Sequence, residues 1–195
     1  MIGGSDGSEL MIGANGADMP DRDVNIFLKL DGIDGESTVK GHKKEMVMLS
    51  YEQAVDVTVI HSGSGGTAAG KAKFSGVRIR KNVDVASIPM LLACAAGRHI
   101  KQARFTFRRG AGGFDFYSVT LEDVLVTHVA QRAGAGAQYP LSFEALNAGA
   151  SSNGFLDEVT LDYARIRWEH RAQRRRGGVG TITSGGWNVR TNKKL

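Results

Sequence analysis

The sequence predicts a mainly β protein, either a sandwich or a closed barrel, with one helix set among its strands. Apolar and polar residues alternate with a period of two through a series of short segments. Clusters of Gly, Asp and Ser separate those segments, as connections between antiparallel strands require. One stretch alone has helical spacing with its own start and stop signals. The 195 residues suit one domain or two very small ones. A chain of this size buries roughly 70% of its unfolded surface, so its core needs no disulfide staple.

The first strand is Val24 to Leu30, with Ile26, Leu28 and Leu30 on one side and Asn25, Phe27 and Lys29 on the other; Asp31, Gly32, Asp34 and Gly35 then turn the chain. From Lys44 to Val59, the residues Val47, Leu49, Tyr51, Val55, Val57 and Val59 share one parity, which predicts a long strand or a bent pair. His61 to Gly70, with Gly63, Gly65, Gly66 and Gly70, reads as a flexible excursion from the sheet. Alternation resumes over Lys73 to Arg80, where Phe74, Val77 and Ile79 are apolar. Val83 to Gly97 is the helix: Ser87 can cap it, Pro89 suits its first turn, Met90, Leu91, Cys94 and Ala95 form its apolar stripe, and Gly97 can stop it. Further strands are predicted over Ile100 to Arg108, over Phe114 to Val129 in one or two pieces around Glu122, and over Val159 to Arg171, with a short one available between Pro140 and Leu146.

Composition narrows the function classes. Cys94 is the only cysteine, which excludes an internal disulfide, a zinc cluster and a redox pair, and it reads as a small buried hydrophobe. No segment approaches the roughly 20 apolar residues needed to span a bilayer, so no membrane insertion is expected. The stretch Met1 to Pro20 lacks the basic and apolar regions of a signal peptide. The formal charge of +5 is unevenly spread: beyond Tyr163, many Arg and Lys residues face the single acid Glu169. Such a segment can serve nucleic acid, an acidic partner or a neighbouring subunit.

Motifs for chemistry are weak. Gly65, Gly70 and Lys71 match a phosphate-loop spacing, but Ala72 stands where the metal-binding hydroxyl belongs, and strand-like alternation follows where a helix is needed. Asp31, Asp34 and Glu36 lack the ligand ladder of a calcium loop and read as a tight turn. The histidines His42, His61, His99, His128 and His170 show no paired metal spacing and adjoin no nucleophile motif. Phe105, Phe107, Phe114, Phe116 and Tyr117 beside Arg104, Arg108 and Arg109 could be stacking platforms for single-stranded nucleic acid, or simply core plus solvated face. No catalytic residue, metal ligand or cofactor is expected.

Several blocks in order carry a more specific signal. Phe27-Leu28-Lys29-Leu30-Asp31-Gly32-Ile33-Asp34-Gly35-Glu36-Ser37 is a strand ending in a Gly-Glu-Ser turn, and His42-Lys43-Lys44-Glu45 follows it. Lys81 to Ile100 contains Cys94 and the helix exit Gly97-Arg98-His99; then come Leu121-Glu122-Asp123-Val124-Leu125-Val126 and the terminal Gly186-Trp187-Asn188-Val189-Arg190-Thr191-Asn192-Lys193-Lys194. Together these blocks resemble the Hcp family, the haemolysin-coregulated proteins that build the inner tube of bacterial type VI secretion machines.

The resemblance implies a closed or near-closed β-barrel of two antiparallel sheets with one α-helix packed on its side. It covers a single domain over residues 23–195, with a basic C-terminal segment, and leaves residues 1–22 as a Gly-rich extension, disordered in expectation. It also implies hexameric rings stacked into a hollow tube that is ejected and can carry effectors in its lumen, a spike protein at the tip and a contractile sheath around it. The protein would start in the bacterial cytoplasm and leave without a cleavable signal peptide. After Leu49-Ser50 the family usually has two aromatics bracketing a small polar lumen residue, whereas this chain reads Tyr51-Glu52-Gln53, which would place the Glu52 carboxylate at that position; Ser50 and Glu52 are the expected lumen-facing residues. The loop residues Ser62, Gly63, Ser64, Gly65 and Gly66 are expected to reach a stacked ring, and Arg174, Arg175 and Arg176 to form a basic interface cluster. The alternative reading is a nucleic-acid-binding β-barrel ring, favoured by a pI near 9.5.

Overall fold

The computed structural model describes residues 24–61, 67–109, 113–133, 154–173 and 178–195. Strand β1 (Val24–Leu30) lies between β2 (Met46–Met48) and β7 (His99–Arg109), antiparallel to both. From β7 the sheet continues through the long strands β8 (Phe114–Ala133) and β9 (Phe155–Gln173) to β10 (Val179–Asn188) and the short edge β11 (Lys193–Lys194). The first half of β9 also pairs with β6 (Val77–Asn82), and β6 pairs with β3 (Ser50–Glu52). The two arms of the sheet meet at Leu49, where β2 gives way to β3 and the Leu49 N–H donates to the Arg80 carbonyl at 2.7 Å. The result is the near-closed barrel expected. A second, two-stranded antiparallel sheet is formed by β4 (Val55–His61) and β5 (Thr67–Phe74).

The core follows from alternation. Leu28, Met46, Ile79, Phe105, Leu121, Leu161 and Ile166 are all fully enclosed, one or more from each main strand. The near-closed arrangement leaves little unpaired strand edge around this core. Between β8 and β9 the register passes from Glu122 opposite Arg165 to Val124 opposite Tyr163, with Asp123 between them in a left-handed conformation, φ 55°. An aspartate tolerates that region better than a branched residue does. The strand therefore stays in one piece around Glu122 and bends there, serving both halves of the barrel.

The helix α1 (Ser87–Ala95) lies against β8 through Met90 and Ala93 and ends as expected, with Gly97 at φ 57° and the Arg98 N–H donating to the Ala93 carbonyl at 2.9 Å. Its start differs from expectation. Ser87 is the first helical residue and caps nothing; its hydroxyl turns inward, donates to the Asp157 carboxylate, and accepts the Asp84 N–H and the Lys81 ammonium, each at 3.0 Å. Lys81 is fully enclosed and also binds Asp84 at 2.5 Å and Asp157 at 3.0 Å. A buried charge persists only when paired and hydrogen-bonded, and this network ties the start of α1 to β6 and β9. Pairing also explains why a lysine occupies an inward position of β6.

Several connections depart from the sequence reading. The Lys44 to Val59 region is three strands, broken at Leu49 and again at Gln53 and Ala54. Of the predicted excursion His61 to Gly70, the residues Thr67 to Gly70 belong to β5, since they find hydrogen-bond partners on β4. Strand β10 carries few apolar residues and no strong alternation, and so was not anticipated. The short strand expected between Pro140 and Leu146, the extension 1–22, the loop Ser62 to Gly66 and the cluster Arg174 to Arg176 lie outside the described residues.

Candidate functional site

Directly opposed residues of antiparallel strands share one side of a sheet, so the register shows what the barrel presents outward. On the wall made by β3, β6, the first half of β9 and the second half of β8, one row reads Glu52, Arg78, Thr160, His128 and the next Ser50, Arg80, Glu158, Ala130. The intervening row, Tyr51, Ile79, Val159 and Val129, faces the core. Ser50 and Glu52 thus sit together at one margin of a polar, outward-facing wall. Sequence reasoning missed Arg78, Arg80, His128 and Glu158 as their companions, although the outward parity of β6 could have supplied the two arginines.

The wall's charges are loosely matched. Glu52 and Arg78 approach to 3.9 Å with their side chains 69% and 66% exposed, a pair worth at most about 1 kcal/mol in water. Arg80 and Arg132 reach Glu158 at 3.6 and 3.8 Å. None of these contacts removes the charges from solvent, so they remain able to engage another molecule.

The second exposed feature is the β4–β5 ribbon. Val55, Val57 and Val59 oppose Phe74, Ala72 and Ala69 across it, which makes one of its faces apolar. The valines are nonetheless 47%, 46% and 51% exposed. Phe74 anchors the base of the ribbon by stacking near Trp168 and Trp187 at 6.3 and 6.2 Å. On α1, Ile88 and Leu92 are similarly exposed, as is Val85 just before it.

The remaining motifs resolve into structure. Gly70 and Lys71 lie within β5, with no helix following them. Lys44 pairs with Asp34 at 3.2 Å, and Glu36 accepts the Val85 N–H at 3.1 Å, so these two of the three carboxylates serve the structure around the turn. Gly35 is held within the turn because a Cβ there would lie 2.5 Å from the Glu45 carbonyl oxygen. Phe105 is buried, and Phe107 and Tyr117 pack around Tyr51 and one another, which takes these rings out of any stacking platform. Cys94 is half-buried against the core.

His42 was not anticipated as a buried polar centre. Its ring stacks on Phe27 at 4.2 Å, with Nδ1 against Glu45 at 2.8 Å and Nε2 against Asp115 at 3.2 Å. Burial works to raise the Asp115 pKa, but hydrogen bonds from Arg108 and His42 and their charges outweigh it and hold the carboxyl below its usual range. His99 binds Asp123 at 2.8 Å, and Arg190 binds the same carboxylate at 2.7 Å. Neither histidine contacts a serine or cysteine among the described residues, so no nucleophile is activated by either.

A strand-built body with charged outward walls and an uncovered apolar ribbon is the construction of a structural protein that presents surfaces. A family model described as "Type VI secretion system effector, Hcp" matches residues 27–170. Protein hcp1 of Pseudomonas aeruginosa is 28% identical over 172 residues, spanning 87% of this chain and 97% of that protein. Among solved structures, Hcp1 from Salmonella typhimurium is 26% identical with a TM-score of 0.67, over 89% of this chain and 99% of that one. A type six secretion system protein is likewise 26% identical with a TM-score of 0.75, over 88% and 99%. The chain belongs to the Hcp family of the type VI secretion system, and it is a structural protein and not an enzyme.

Proposed function

We propose that this chain is the tube subunit of a type VI secretion system: copies close into hexameric rings, the rings stack, and the tube is ejected with effectors held in its lumen. The observation that supports the reading is the polar, outward-facing wall of β3, β6, β9 and β8; in a ring this wall would supply a hydrated inner surface, and Ser50 and Glu52 on it would face the lumen. The chain starts in the bacterial cytoplasm and leaves through the secretion machine itself. A spike protein at the tip and a contractile sheath outside complete the machine.

Stacking falls to the β4–β5 ribbon. Two isolated strands are marginal in water, and the exposed valines gain from being covered by a neighbouring ring, with Ser62, Gly63, Ser64, Gly65 and Gly66 as the candidate stacking contacts. The cluster Arg174, Arg175 and Arg176 lies at an interface. Residues 23–195 form one domain, and 1–22 are an extension from it.

The test is size and shape together. Light scattering should give a particle mass near that of six 20.9 kDa chains, and negative-stain images should show open annuli. A particle that stays monomeric at every concentration and ionic strength overturns the reading.

A further inference from the structure

The opposite stretch of the barrel surface, on β1, β7, the first half of β8 and the second half of β9, carries a second charged feature. One row runs straight across the sheet: Lys29 opposite Arg104, Arg104 opposite Thr120, Thr120 opposite Arg167, Arg167 opposite Gly186. Like charges directly opposed on neighbouring strands destabilise a sheet, and Lys29 and Arg104 are such a pair, both exposed. Two adjoining cavities of about 270 and 420 Å³ follow this surface and share Arg104 and Ser118 in their walls, which makes them one groove.

The charges along the groove can be accounted for one by one. Glu45 and Asp115 are bound to His42, and Asp115 also to Arg108. Glu169 is bound to Arg171 at 2.6 Å, and Glu122 to Arg165 and Arg167 at 3.4 and 3.3 Å. Among the described cations that line the groove, Lys29, Arg104 and Lys194 have neither an ion pair nor a side-chain hydrogen bond, and of these Lys29 and Arg104 stand directly opposite each other. Thr106 and Ser118, opposite each other on β7 and β8 and only 8% and 9% exposed, contribute to the floor of the first cavity, and Ser118 to that of both. Gly186 adds no side chain above the row, and a Cβ there would meet the Arg167 side chain at 3.1 Å.

We propose that this groove docks an acidic segment of another protein, whose carboxylates pair with Lys29 and Arg104 and whose polar groups meet the hydroxyl floor. A protein segment fits better than a nucleic-acid backbone. The carboxylates of Glu45, Asp115 and Glu169 punctuate the walls and would repel a continuous run of phosphates, whereas a peptide places its charges only where cations wait. The inference concerns different strands and strand halves from the lumen wall and does not rest on ring formation.

The full chain is titrated against a fluorescein-labelled ten-residue oligoglutamate peptide, followed by fluorescence anisotropy at several salt concentrations. Binding is expected to weaken with salt and to fall about tenfold or more in the Lys29→Ala/Arg104→Ala double variant, the loss of charge-assisted hydrogen bonds. Lys29→Arg with Arg104→Lys should retain it, and Lys71→Ala, on the ribbon, should leave it unchanged. Because the double variant relieves a like-charge contact, its melting midpoint should equal or exceed the parent's; Lys29→Gln alone carries the test if the double variant does not fold. Absence of peptide binding, or parent-like binding by the Lys29→Ala/Arg104→Ala variant, overturns the proposal. Tighter binding of a single-stranded DNA of equal charge at every salt concentration overturns it in favour of a polyphosphate ligand. Light scattering on the same samples separates the two readings: intact rings without peptide binding defeat the groove, and peptide binding by monomers alone defeats the ring.

Discussion

Tyr51 shows how one side chain can be well packed and still discontented. Its ring meets Phe105 and Phe107 edge-on at 4.9 and 5.1 Å, yet its hydroxyl is enclosed without a hydrogen-bond partner. Burial, followed by the proximity of Tyr117 and Tyr163, pushes its pKa well above that of an ordinary tyrosine, so it stays protonated and cannot escape the cost by ionising. A buried, unpaired hydroxyl costs on the order of 1 kcal/mol or more, and phenylalanine keeps the ring contacts. Tyr51→Phe should therefore stabilise the fold by about 1 kcal/mol, read as a higher urea midpoint at constant slope. A lower midpoint would mean that the hydroxyl has a partner in solution. The sequence placed this residue in a strand, but its parity with Val55 and Val57 said nothing of its burial, because those valines lie exposed on the separate ribbon. Its discontent was not legible either, because hydrogen-bond satisfaction depends on which strands come to surround the hydroxyl.

At the scale of elements, the same contrast recurs. Strands β1, β7 and β9 could be read directly because most of their inward positions are apolar and most outward ones polar, with Phe27 under His42 and Asp157 beside Lys81 as the exceptions. The region after Lys44 misled, since Val47 shares its parity with Tyr51 but is 46% exposed while Met46 and Met48 fill the core; the break at Leu49 shifts the inward parity, and only tertiary pairing fixes where a strand breaks. The helix was placed correctly, but its first turn is governed by Lys81, Asp84 and Asp157, far apart in part along the chain, and no local capping rule could reveal them. That network gives a sharp expectation. Lys81→Met keeps the volume but leaves two carboxylates facing each other around a dry site, and removing one member of a buried pair costs about 3–5 kcal/mol. Denaturant titration should show a loss of that order, together with earlier exchange of the α1 amides. A loss below about 1 kcal/mol would show that solvent reaches Lys81, contrary to its enclosure.

For the whole molecule, the decisive matter is that its exposed surfaces differ from one another: an apolar ribbon, a polar wall and a cationic groove. The wall was legible only as the pair Ser50 and Glu52, because its other members come from β6, β8 and β9 and meet them only in the folded register. Unlike surfaces favour heterologous contacts, which propagate in one direction unless they close; under the proposed stacking, the ribbon of one ring would enter a different surface of the next. An asymmetric contact has a consequence that a symmetric one lacks. Val57→Asp places a carboxylate in the middle of the ribbon's apolar face, so rings of this variant cannot insert their own ribbons but can still receive those of parent rings. Added in small proportion to preformed parent rings, they should end growing tubes and shorten them in negative-stain images, while the mass of each ring is unchanged. If instead the ribbons met like to like, each variant ring would be refused at both partners and parent tubes would keep their length. Unaltered tube length across the mixing series would therefore count against insertion of the ribbon into a distinct surface, and shortened tubes would fix both the direction of stacking and the part of the chain that drives it.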